Sequence, residues 1–131
     1  MRILSKLASL TLLITSSAVS ATEADEQCGA QPVPPGMSEG STLSEAQLRA
    51  AKVDFLAYQE ENTVYLDCLL DLMAELQAEI SSLGNSSAVA KERNALELEF
   101  ALAGRAYNQA VAVEDEGASE INTALEGFKS K

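Results

Sequence analysis

The sequence predicts an all-α protein: a long antiparallel two-helix hairpin, coiled-coil-like, behind an extended proline-rich N-terminal leader. Three observations carry that expectation. Residues 44–83 contain no glycine or proline, and their apolar residues recur at alternating steps of three and four. A glycine- and serine-rich break follows at 81–87, and a second run of the same periodicity comes after it. All three prolines lie ahead of the first run.

The chain of 131 residues begins like an export signal. Arg2 and Lys6 form a positive start, residues 7–14 are mostly apolar, and Val19-Ser20-Ala21 places small residues where a signal peptidase reads. Residues 1–21 are therefore expected to be a signal peptide cut after Ala21. A membrane-spanning helix needs about 20 apolar residues. This run is shorter and is broken by Ser9, Thr11 and Thr15. No cysteine directly follows the cut, so no lipid or membrane anchor is expected after cleavage. The destination is then periplasmic or secreted.

Composition narrows the function. The net charge is -11, and cleavage removes two cations. Nucleic acids and anionic lipids are held by lysine and arginine, so neither is an expected partner. Acidity ordinarily keeps a small protein soluble, which outweighs any claim about a basic partner made from composition alone. The chain has no histidine, the side chain most used as general base and metal ligand.

Residues 22–41 form the leader. The acidic residues 22–26 read as a frayed tail. Pro32-Val33-Pro34-Pro35-Gly36 fixes φ and lacks amide donors, so it cannot be helix or central strand. It should be extended and largely polyproline-like.

The hairpin domain spans residues 42–131. Thr42-Leu43-Ser44-Glu45 fits a capping box, and Ser44 with Gln47 is an alternative start. The apolar stripe runs through Leu48, Ala51, Phe55, Tyr58, Asn62, Tyr65, Leu69, Leu72, Leu76 and Leu83, with Glu79 in the one remaining place. One helix of about 40 residues, roughly 60 Å long, is expected. Gly84 suits its C-terminal cap, and Ser86 or Ser87 can cap the next helix. The second stripe is Val89, Leu96, Phe100, Ala103, Tyr107 and Ala110, with Leu102 and Val111 beside it. Glu114-Asp115-Glu116-Gly117 should weaken this helix, with a kink or fray near Gly117. Ile121, Leu125 and Phe128 resume it.

Long helices joined by a short loop lie antiparallel. A turn centred at 84–85 places Leu69 opposite Phe100 and Tyr65 opposite Ala103 and Gly104. It places Tyr58 opposite Ala110 and Val111, and Asn62 opposite Tyr107. A buried asparagine at such a position fixes register through a hydrogen bond.

Cys28 and Cys68 are the only cysteines. An even count in an exported chain favours an intramolecular disulfide; intermolecular pairing and two free thiols are the competing readings. The geometry permits the bond. Cys68 lies about 36 Å along the helix from Ser44, and the intervening leader can span about 50 Å when extended. The proline segment would then run back along the helix, with Pro32, Pro34 and Pro35 passing near Tyr58. The spacing is not that of a redox enzyme, and two thiols without histidine make a poor zinc site.

Cys28, the Pro32-Val33-Pro34-Pro35-Gly36 run, a helix with Tyr58, Tyr65 and Cys68, and a return helix with Phe100 and Arg105-Ala106-Tyr107-Asn108 together resemble a family of small uncharacterised exported proteins of Gram-negative bacteria. The resemblance covers residues 28–108. It implies the helical hairpin and the cysteine pair, and it carries no catalytic activity. Residues 114–131 extend beyond the usual return helix.

No catalytic, cofactor-binding or metal-ligating residue is expected; the site residues are Cys28 and Cys68, as a disulfide. The run at Glu114 lacks the alternating oxygens of a calcium loop and reads as a solvated break. Glu60-Glu61, Asp67 with Asp71, and Glu75 with Glu79 read as an exposed ridge. Phe55, Tyr58, Tyr65, Phe100 and Tyr107 read as one aromatic core cluster rather than a ligand groove. Asn85-Ser86-Ser87 matches a glycosylation sequon but reads as a turn. The leading expectation is a non-enzymatic exported structural or protein-interaction module with an unknown protein partner. One alternative is a homo-oligomeric coiled-coil envelope protein whose 69–83 stripe pairs between chains. The other is a divalent-cation or small-ligand binder using surface carboxylates.

Overall fold

A computed structural model describes residues 21–36 and 42–130. The expected signal peptide lies almost wholly outside the described residues. Within them the protein is all-α: helix α1 (Glu23–Cys28), helix α2 (Glu45–Leu83), a 3-10 turn (Ser87–Val89) and helix α3 (Ala90–Lys129). Helices α2 and α3 pack against each other along their length, and α1 lies against both.

Local chemistry sets the start of α2. The Ser44 hydroxyl accepts from the Gln47 amide at 3.2 Å, and the Gln47 side chain accepts from the Ser44 amide at 2.8 Å. Of the two starts the sequence allowed, the structure takes Ser44 with Gln47. Helix α2 ends at Gly84, whose φ of 72° and ψ of -163° suit glycine almost alone. Arg93 then reaches back from α3 and donates to the Gly84 carbonyl at 2.6 Å.

The expected stripe on α2 is the buried face: Leu69, Leu72 and Leu76 are at most 2% exposed, and Leu48, Phe55, Tyr58, Asn62 and Tyr65 are buried with them. The core has two parts. Near the turn, Tyr65, Leu69, Leu72 and Leu76 pack with Ala103, Ala110 and Ala24. Toward the open end, Phe55 and Tyr58 pack with Ile121.

Four expectations are corrected. Residues 22–26 are not a frayed tail. Thr22 and Asp25 form a reciprocal capping box that opens α1, and its acidic first turn complements the helix dipole. So short a helix is marginal alone; it persists because Ala24 is buried in the core and Cys28 is bonded to α2. Neither Ser86 nor Ser87 begins α3 as a side-chain cap: Ser86 makes no side-chain capping bond, and the 3-10 turn carries the chain into the helix.

Helix α3 also runs unbroken through Glu114-Asp115-Glu116-Gly117. Gly117 is not a weak point but a contact. A Cβ built there would lie 2.7 Å from Cε2 of Phe55, so the missing side chain is what admits the ring. Gly117→Ala is expected to destabilise the protein by about 1–2 kcal/mol, because overpacking outweighs the gain of up to about 1 kcal/mol in helix propensity. Thermal melts check the sign, and adding Phe55→Leu should recover part of the loss. A more stable single variant would contradict the contact.

The register differs from expectation by about one turn. Asn62 bonds to Ala110 and Glu114 rather than facing Tyr107. The atom nearest the open side of Gly104 is Sδ of Met73, at 3.8 Å, and no atom of Tyr65 comes as near. Tyr58 packs with Ile121 and its neighbours instead of Ala110 and Val111. The cause is the connection: the 3-10 turn lengthens it beyond a tight turn at 84–85 and slides α3 along α2.

Candidate interaction site

Cys28 and Cys68 form a disulfide, with 5.7 Å between their Cα atoms. This is the chemistry of an oxidising compartment. No described helix is long and apolar enough to cross a membrane. The bond fixes the C-terminal end of α1 to the middle of α2. Gly29, with φ of 73°, then turns the chain out of the helix into residues 31–36, where Pro32, Pro34 and Pro35 are half-buried and non-helical.

Pinning α1 builds a groove along the turn-proximal half of α2. It measures ≈ 390 Å³ and is lined by Glu23, Glu26 and Gln27 from α1 and by Leu72, Glu75, Leu76 and Glu79 from α2. The two leucines are the floor, and the glutamates are the rim. Glu99 of α3 stands at the same end and accepts from the Glu23 amide at 3.1 Å. Partial desolvation raises the pKa of Glu23, and the carboxylates of Glu99, Glu79, Glu26 and Glu75 raise it further. No cation of the described residues pairs with this rim: the ion pairs join Arg49 to Glu45, Arg93 to Glu97 and Lys129 to Glu126.

Glu75 and Glu79 are exposed like Glu60, Glu61, Asp67 and Asp71, as the sequence read them, but they also line the groove that α1 forms, which the sequence did not anticipate. The signal missed was the helix at 23–28, without which the groove has no second wall. Among the described residues, no group of three or more His, Cys, Asp or Glu side chains is placed to hold a metal ion. The aromatics do not form one cluster: Tyr65, Phe100 and Tyr107 belong to the turn-proximal core, and Phe55 and Tyr58 to the other. Asn85, Ser86 and Ser87 are exposed in the connection.

Between the two cores lies a buried polar site. The Asn62 side-chain amide donates to the Ala110 carbonyl at 3.3 Å and to Oε2 of Glu114 at 3.1 Å. Glu114, read from sequence as part of a solvated break, is half-buried in the seam. The Tyr58 hydroxyl is buried with no hydrogen-bonding partner among the described residues. Desolvation raises its pKa, and the nearby Glu114 carboxylate adds to the rise. Tyr58→Phe deletes that hydroxyl and leaves the ring packing intact. It is expected to raise stability by about 1 kcal/mol, the penalty of a buried unpaired polar group. Urea unfolding measures it, and a clear loss of stability would show that the hydroxyl is paired in solution.

No family model matches the chain, and neither the curated proteins nor the solved structures include a match to it.

Proposed function

We propose that the protein is an exported, non-enzymatic interaction module, periplasmic or secreted, whose groove beside α1 receives a cationic segment of a protein partner. One observation carries this reading: a leucine floor and an unneutralised glutamate rim share a groove that a disulfide holds open. A lysine or arginine side chain matches both parts. Its head meets the carboxylates, and its aliphatic stem lies in the cleft between α1 and α2, above the nearly buried Leu72 and Leu76. Composition alone supported no such partner; the juxtaposition does. An export signal and a structural disulfide agree with the proposed location.

Titration calorimetry tests it, with a synthetic peptide of alternating lysine and leucine as the probe. Binding is expected to weaken at least about tenfold in the Glu75→Gln/Glu79→Gln variant, a loss of about 1.4 kcal/mol. It should fall with added salt, as exposed charge pairs do. Equal affinity for the parent and the variant would overturn the reading.

A further inference from the structure

The outer face of α2 carries a second periodic stripe, turned away from α3. Ala46, Ala50, Val53, Ala57 and Val64 recur at steps of four and three, with Glu60 in the one intervening place. All are exposed or partly so: Val53 is 64% exposed, Val64 71%, and Leu56 beside them 57%. A fold that buries Leu69, Leu72 and Leu76 nearly completely leaves these three large side chains in solvent. The stripe extends about 27 Å at 1.5 Å per residue. The leucines at 69, 72 and 76 of the stripe that the sequence offered for pairing between chains are buried within the chain, whereas this outer face is exposed.

Charge selects the occupant. The only cations of α2, Arg49 and Lys52, lie in its first two turns. Asp67 lies about five turns along on the face of Arg49, with Asp71 one turn further and Lys52 turned to the side of that face. The order is the reverse of what the helix dipole favours, which places acids first and bases last. It therefore does little for the helix itself. A second α2 laid antiparallel reverses it and brings the basic end of each copy to the acidic segment of the other.

We propose that the outer face of α2 pairs with the same face of a second copy, antiparallel, to give a two-fold dimer. This goes beyond the reading of the groove and does not depend on it. In the register that suits the stripe, Val53 lies opposite Val64 of the second copy, and Arg49 lies near its Asp67. Glu60 lies opposite Ala57, whose small side chain leaves room for the glutamate stem. The contact is isologous, as two-fold pairing requires. A stripe of this length buries on the order of 1,000 Å² in total, at the low end for specific interfaces, so the dimer is weak and exchanges.

Sedimentation velocity of the purified, oxidised chain at physiological ionic strength tests the proposal. A dilution series is expected to show a monomer–dimer equilibrium. Val64→Arg should weaken it at least about tenfold while the circular dichroism and melting temperature stay unchanged, because Val64 contributes nothing to the intramolecular core. Arg49→Asp and Asp67→Arg should each weaken it about threefold, the scale of an exposed ion pair, and the two together should restore it. A monomer at every concentration overturns the proposal. So does a dimer indifferent to Val64→Arg. Failure of the charge exchange to rescue overturns the antiparallel order. None of these outcomes bears on peptide binding in the groove, so the two readings fail separately.

Discussion

Replacing both Cys28 and Cys68 by serine is expected to lower stability by about 4 kcal/mol in the chain-entropy view of a disulfide. The bond closes a loop with a sequence separation of 40, and that loop restricts the unfolded chain. The effect in the native state is local. Helix α1 has six residues, far fewer than an isolated helix needs to persist in water. Without the bond only Ala24 and a few polar contacts hold it. Urea unfolding of the double variant should show the loss, with a drop in melting temperature of about 15 °C or more. Hydrogen exchange should show α1 opening before α2 and α3. A loss below about 1 kcal/mol would mean that neither the constraint on the unfolded chain nor the anchoring of α1 matters to stability. The groove depends on the same bond, so the variant should also lose affinity for the cationic peptide.

Leu69→Ala is expected to cost about 3–4 kcal/mol, the range for a fully buried leucine whose neighbours cannot close the gap. Leu69 is 0% exposed and sits in the turn-proximal core between Tyr65 and Leu72. Its sequence neighbour offers the control. Leu70 is 46% exposed, so Leu70→Ala removes the same atoms and should cost well under about 1 kcal/mol. The contrast tests the orientation of α2 directly. Equal losses at the two positions would mean that the helix is rotated from the arrangement described. Domains of this size are stable by about 5–15 kcal/mol in all, so either this change or loss of the disulfide leaves a marginal protein.

How far the fold was legible depended on the range of the signal. The face of α2 could be read because burial on one side of a helix imposes a period of 3.6, and Leu48, Phe55, Tyr58, Asn62, Tyr65 and Leu69 keep to it. Gly84 could be read because only glycine tolerates its backbone angles. The cysteine pair could be read because the leader is long enough to return along the helix. Gly117 was misread for a physical reason. A glycine in a helical run signals weakness when its surroundings are unknown, whereas here Phe55 of α2 fills the space it leaves. The groove escaped notice because its wall is a helix of one and a half turns. Thr22 and Asp25 do carry the capping pattern, yet acidic residues in a short run look the same whether they are solvated or docked.

The sequence by itself determined the helical class, the extent of α2, its inward face and the identity of the bonded cysteines. These follow from local periodicity, caps and chain reach, which act over a few turns or through one covalent link. Only the tertiary structure decided the register of α3 on α2, the continuity of α3 through Gly117, the fusion of α1 to the core and the groove that α1 encloses. Each is set by contacts between residues far apart in the chain, where a few residues more in one turn move every partner along the seam.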